Sequence, residues 1–285
     1  MTNSLSTRMK YSDLSRLGLM ELPFRISADP RFLYLTPTIA SLIDRLLDLM
    51  AYEEGLGVVE GEIGIGKTSV ARRLYDIAAG DDNNLHPVYI HTALYNSAPA
   101  AARDIADHFG LDTHRVYTTQ LRILEEGILK IREDGDNPVL IIDDAQFMET
   151  PSLETIQNMI NFDVSSKAVQ IVLFGQPEIH RNFSKPSAES VLKRVVTWQK
   201  LSAFSFEDTS AMLNWRVQQA GRKEPLFTGN ALSMIWDTSQ GNPRDTINIA
   251  NEALRQLIKN GGQTINGEIT QSAIANFSTR PLPGI

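Results

Sequence analysis

A parallel α/β sheet covered by helices, followed by a small all-helical domain, is the fold that this 285-residue sequence predicts. Three observations predict it: five short apolar runs, helical periodicity between them, and the loss of such runs after about residue 205. The runs span 56–60, 87–93, 139–143, 169–174 and 197–204. Within the third and fourth, VLII and IVLF are apolar without alternation, which marks strands buried on both faces of a parallel sheet with helical crossovers. Between the strands, Leu121, Leu124, Ile128 and Ile131 recur every three to four residues, and 69–79 carries a similar stripe. Past residue 205, Ser205 ahead of Glu207 and Asp208 reads as an N-cap with an acidic first turn, and helical patterns follow near 207–220, 228–238 and 243–259. The expected organisation is an N-terminal segment, 1–55, packed on an α/β core, 56–204, then a helical domain, 205–280, and a tail, 281–285.

Composition bounds the chemistry. With no cysteine there is neither a disulfide framework nor a thiolate metal site, and catalysis falls to carboxylates, hydroxyls, amides or bound cofactors. The N-terminus, MTNSLSTRMK, lacks an apolar signal core, and no stretch approaches the roughly 18 apolar residues of a membrane span, so a cytoplasmic protein is expected. A net charge of -7 excludes a uniformly basic nucleic-acid coat. Residues 181–200 nevertheless hold five Lys or Arg against one Glu, so any anion-binding surface is local.

The chemistry concentrates in Gly61-Glu62-Ile63-Gly64-Ile65-Gly66-Lys67-Thr68, followed by Ser69. This is G-x-x-x-x-G-K-T between a predicted strand and a predicted helix, the setting in which the pattern means a phosphate-binding P-loop. Backbone N–H groups cradle the phosphates, Lys67 reaches the terminal ones, and the Thr68 hydroxyl ligates Mg²⁺. Val139-Leu140-Ile141-Ile142-Asp143-Asp144 supplies a strand ending in acid. Asp143 then serves the Mg²⁺ and Asp144 orients or deprotonates the attacking water, the competing reading being two caps on the next segment. P-loop ATPases usually carry glutamate at the second position. An aspartate leaves the carboxylate about 1.5 Å short, a misplacement of the order that costs about a hundredfold in rate, so slow, switch-like ATP hydrolysis is expected.

Three further motifs carry a resemblance: Leu17-Gly18-Leu19 with Leu22-Pro23-Phe24 and Asp29-Pro30-Arg31-Phe32-Leu33-Tyr34-Leu35-Thr36-Pro37; Phe174-Gly175-Gln176-Pro177-Glu178; and Gly241-Asn242-Pro243-Arg244. In this order, and with the P-loop, the chain resembles the AAA+ family that contains the secretion-associated ATPase ExeA and the transposition regulators TnsC, TniB and MuB. The resemblance implies a five-stranded P-loop AAA+ sheet with a helical lid domain. It implies that Gln176 is a polar sensor of the attacking water or γ-phosphate, that Arg244 reports the γ-phosphate to the lid, and that Arg194 is the finger reaching a neighbour's ATP. The alternatives are a strand-end amide for Gln176, a solvent-facing helix-start arginine for Arg244, and Arg181 or Lys193 in place of Arg194. Phe32, Leu33, Tyr34 and Thr36 are candidates for an adenine wall, or equally for a hydrophobic plug.

From the resemblance follow two functional expectations. The first is a regulator that oligomerises with ATP, binds duplex DNA without sequence preference, and recruits a transposase or targeting protein; the short chain ending in Arg280-Pro281-Leu282-Pro283-Gly284-Ile285 is expected of such a regulator. Its DNA contacts are expected between the second and third strands, at Arg103, His108, His114, Arg115, Tyr117, Thr118, Thr119 and Lys130, repeated from subunit to subunit. The rival expectation is an ExeA-like ATPase of a secretion or envelope-assembly system, with no membrane partner implied for this chain.

Overall fold

The computed structural model describes residues 11–25, 32–80, 84–162 and 167–278. Motif residues Asp29, Pro30 and Arg31 and the tail lie outside that range. The chain divides into two units, one made of residues 37–202 and the other of residues 1–36 together with 203–285.

The first unit is built on five strands, β1 (Leu56–Gly61), β2 (Leu85–Ile90), β3 (Asn137–Ile142), β4 (Gln170–Gly175) and β5 (Val195–Leu201). They pair in the order β2-β3-β4-β1-β5, with every pairing parallel. All six residues of β3 and of β4 are buried, and after the leading Asn137 and Gln170 each runs on without polar alternation, as central strands require. Helix α2 (Pro37–Ala51) precedes β1, and α3 (Lys67–Ala78), α4 (Ala98–His108), α5 (Tyr117–Glu133), α6 (Thr150–Ile160), α7 (Ile179–Phe183) and α8 (Glu189–Leu192) lie between the strands. In α2 the buried set Ile39, Leu42, Ile43, Leu46, Leu49 and Met50 has the three-to-four spacing of a single apolar face.

The second unit holds α1 (Tyr11–Arg16), α9 (Phe206–Gln219), α10 (Gly229–Ser239), α11 (Pro243–Asn260) and α12 (Gly267–Ser278) around a core of its own. Ser205 caps α9, its hydroxyl accepting from Asp208 N–H at 3.0 Å, and Asn242 caps α11 through the N–H groups of Arg244 and Asp245. In the Gly-Asn-Pro-Arg motif the glycine is required by space: a Cβ on Gly241 would stand 2.1 Å from Phe204 O, and Phe204 N–H donates to Gly241 O.

The expected segment 1–55 divides differently. Its earlier part builds the second unit, with Leu14, Leu17, Leu19 and Phe24 buried beside Leu213, Val217 and Leu254, whereas α2 builds the first. Three arginines fasten that earlier part by carbonyl contacts. Arg16 Nη1 donates to Gly261 O and Gly262 O at 2.8 Å, and Arg216 to Pro23 O and Arg25 O. Arg222, nearly buried, donates to the carbonyls of Leu17, Glu224, Pro225 and Gln263.

Candidate nucleotide site

The P-loop turn runs from the end of β1 to the start of α3, closed by Ile65 N–H donating to Glu62 O. Gly64 and Gly66 have φ of 83° and 106°, and nothing lies within 4 Å of a Cβ placed on Gly66, so conformation and not crowding demands glycine there. No side chain caps α3, which leaves its positive end for an anion. Lys67 is 7% exposed, and its ammonium donates to Gly61 O at 2.7 Å and Glu62 O at 2.9 Å. The loop therefore holds its cation on its own backbone. Thr68 is exposed and Ser69 half-buried.

Register aligns the other groups. Ile142 pairs with Leu173 and Phe174 with Val59, so Asp143 leaves β3 level with Val59 of β1; Gly175 pairs with Glu60, so Gln176 leaves β4 level with Gly61. Three neighbouring parallel strands, spaced by about 4.8 Å, thus release the P-loop, Gln176 and the Asp143-Asp144 pair at one edge. Asp143 is 2% exposed; its carboxylate accepts from Asp144 N–H at 2.9 Å and from the Tyr89 hydroxyl at 3.1 Å. Burial, and then the Asp143 charge, push the Tyr89 phenol well above its usual range against the opposing effect of Arg72, so it remains a donor. Asp144 sits at φ 49° and opens a short 3-10 turn, Ala145–Phe147. Its Oδ1 accepts from Gln146 Nε2 at 2.9 Å, and Gln146 Oε1 accepts the Gln176 N–H at 2.9 Å.

Among the described residues no group of three or more His, Asp or Glu side chains gathers around a metal position. Mg²⁺ on a phosphate chain needs none, because it keeps waters and takes one or two protein oxygens besides the phosphates. A buried carboxylate already fixed by two donors, on the edge where the P-loop opens, fits that demand.

The remaining candidates fall into three groups. Arg194 is exposed, but its Nη1 donates to Ile160 O at 3.0 Å at the end of α6, and Lys193 pairs with Glu189. Arg181 is exposed, with no side-chain hydrogen bond or ion pair among the described residues. Arg244 is exposed at the second position of α11. Phe32 lies beneath the Arg216 guanidinium, 5.6 Å from its ring centre, and Tyr34 packs on Trp215, so both plug the second unit; Thr36 is buried and Leu33 half-buried.

The proposed DNA residues are not one cluster. Arg115 is exposed just before α5, and Thr118 and Thr119 lie in its first turn, which no side chain caps. Lys130 stands about 18 Å further along α5 and pairs with Asp134 at 3.3 Å. Arg103 is half-buried on α4. His108 faces Asp104, His114 Nδ1 accepts from Val116 N–H, and the Tyr117 hydroxyl accepts from Asn158, so these three are occupied locally. Sequence reasoning missed Tyr89 and Gln146. A tyrosine on the strand beside the acidic one and an amide two residues past Asp144 were the available signals.

A P-loop opening onto a helix, with a buried strand-end aspartate and a polar residue just past the intervening strand, is the arrangement of a nucleotide site on the P-loop AAA+ fold. Residues 50–183 match the family described as AAA domain. The chain is 28% identical over 264 residues to General secretion pathway protein A of Aeromonas hydrophila, covering 90% of this chain and 47% of that protein. It thus spans about half the length of that curated relative. Among solved structures, Cdc6p of Pyrobaculum aerophilum covers 92% of this chain (71% of its own) with a TM-score of 0.67 at 20% identity. The Aeropyrum pernix ORC2 protein, in its ADPNP and ADP complexes, covers 89% (72% of its own) with 0.66 at 15%. The ORC1 protein of that organism, solved with DNA, covers 86% (66% of its own) with 0.63 at 14%. These structures share the fold. The chain is thus similar to the AAA+ proteins in its fold and, over 264 residues, to the ExeA-type protein of Aeromonas hydrophila. No helix among the described residues is long and apolar enough to cross a membrane.

Proposed function

We propose that this chain is a slow, ATP-hydrolysing assembly switch that acts on duplex DNA as a transposition regulator and recruits a transposase or targeting protein. The observation that carries the ATP reading is the shared edge of β1, β4 and β3, where Lys67, Gln176, Asp143 and Asp144 emerge together. Lys67 binds the terminal phosphates, Thr68 and Asp143 hold Mg²⁺, Asp144 orients the attacking water and Gln176 senses the γ-phosphate. Mg²⁺ supplies charge neutralisation across the phosphates. Arg244 carries the nucleotide state to the helical unit, and Arg194 or Arg181 reaches a neighbour's ATP in a ring or helical oligomer.

The DNA reading rests on the uncapped start of α5 with Arg115, Thr118 and Thr119, and on Arg103. One copy offers few contacts, but an oligomer repeats them along the backbone and gains by effective concentration, which reconciles DNA binding with a charge of -7. Likeness to General secretion pathway protein A favours the second reading, an ExeA-like ATPase of a secretion or envelope-assembly system. Duplex DNA binding with a slowly hydrolysed ATP analogue, at low and moderate salt, separates them. The wild type is expected to bind without sequence preference, more weakly as salt rises, and the Arg103→Ala, Arg115→Ala double variant more weakly still. Assembled wild type that ignores DNA at low salt would sink the DNA reading and promote the secretion one.

A further inference from the structure

We propose that Gln146 is a positioning residue that fixes the Asp144 carboxylate and couples it to the end of β4. This rests on the ATP-hydrolysing role given above to Asp144. The side-chain amide is oriented by its two partners. Its carbonyl oxygen accepts from the Gln176 backbone N–H, which can only donate, and its NH₂ donates to the Asp144 carboxylate, which can only accept. A flipped amide would set oxygen against carboxylate and NH₂ against N–H, so one orientation alone satisfies both ends. The Gln146 backbone is held as well: Asn182 Nδ2 donates to its carbonyl at 2.7 Å, and a Cβ on Gly175 would come within 3.3 Å of its nitrogen.

What this does follows from the shortness of Asp144. Its carboxylate hangs on one methylene from a residue at φ 49°, and its Oδ1 is committed to Gln146. Among the described residues Oδ2 has no hydrogen bond, so it is the oxygen left for a water. Fixing one oxygen fixes the other, and errors of about 1 Å in such a group cost about a hundredfold in rate. Because the second partner of Gln146 is the Gln176 backbone, a shift of the β4 end reaches Asp144 through a single side chain.

The test uses the full chain with Gln146→Ala, Gln146→Glu, Asp144→Ala and the Asp144→Ala, Gln146→Ala double variant. Gln146→Ala is expected to lower kcat about 30- to 100-fold while ATP-analogue affinity stays within about threefold, which also reports that the site is folded. In nucleotide-free protein the Gln176 amide is expected to lose hydrogen-exchange protection in Gln146→Ala and to keep it in Gln146→Glu, which retains the acceptor. Gln146→Glu lacks the donor and opposes two carboxylates, so its kcat falls as far as that of Gln146→Ala. In the Asp144→Ala background, removing Gln146 costs nothing further, because it acts through Asp144. Wild-type turnover in Gln146→Glu would reduce the side chain to a loop brace and overturn the proposal alone. So would an undiminished Gln146→Ala loss in the Asp144→Ala background, or unchanged Gln176 exchange in Gln146→Ala. A wild type without turnover, or an Asp144→Ala variant with full turnover, would overturn the underlying reading of Asp144 together with this one.

Discussion

Replacing Lys67 by alanine removes an ammonium that is 7% exposed and is shared between Gly61 O and Glu62 O. With nucleotide bound, the same group meets terminal phosphate oxygens. Hydrogen bonds to charged partners contribute about 1.5–3 kcal/mol each, so losing one or two weakens ATP by roughly 2–4 kcal/mol, or about 30- to 1000-fold in Kd. Without nucleotide the loss is smaller. Glu62 is exposed and its carbonyl turns to water, leaving mainly the buried Gly61 carbonyl to lose its partner, at a cost of about 1–2 kcal/mol. Calorimetric titration with a slowly hydrolysed analogue measures the first effect, and the urea midpoint of the nucleotide-free protein measures the second. Analogue affinity within threefold of wild type, with ATP-dependent assembly intact, would mean that the loop does not hold the phosphates.

Arg194→Ala and Arg181→Ala discriminate the finger: the true one is expected to lower assembly and turnover while leaving analogue binding by the isolated subunit unchanged, as followed by light scattering. The Arg194 bond to Ile160 O adds a signature, a small loss of stability in Arg194→Ala that Arg181→Ala lacks. Arg222→Ala leaves four backbone carbonyls without their shared donor and is expected to destabilise the helical unit by at least about 3 kcal/mol; an unchanged denaturation midpoint would contradict the pinning role. Gly241→Ala cannot be accommodated 2.1 Å from Phe204 O and is expected to lower the thermal midpoint of that unit, measured by circular dichroism.

The sheet was legible because parallel strands carry their own signature. The runs at 139–143 and 169–174 match β3 and β4 within two residues, since past the leading Asn137 and Gln170 a strand buried on both faces has no alternating polar positions to blur it. Strand β2 begins two residues earlier than its run and stops at Ile90, because it is an edge strand in which Pro87 is tolerated and the first three residues are only half-buried. Helix α12 was missed: its sequence, GEITQSAIANFS, buries only Ile269, Thr270 and Ala273 and gives no broad apolar stripe. Lys67 and Asp143 could be read because their motifs are local in sequence. Tyr89 and Gln146 could not, because each acquires its meaning from a neighbouring strand. The hydrophobic residues at 14, 17, 19 and 24 likewise announce burial without saying in which core.

That last ambiguity has a consequence for how the chain is made. The helical unit is assembled from two stretches separated by the whole of residues 37–202, and its fastening bonds join positions 191 to 246 residues apart. During synthesis at roughly 5–20 residues per second, the first stretch emerges tens of seconds before its partners, while the P-loop unit in between can already fold. For that interval Leu14, Leu17, Leu19 and Phe24 have no native surface to occupy. The helical unit therefore completes its core only after residues 203–278 have emerged, and its closure carries the loop entropy of the intervening residues.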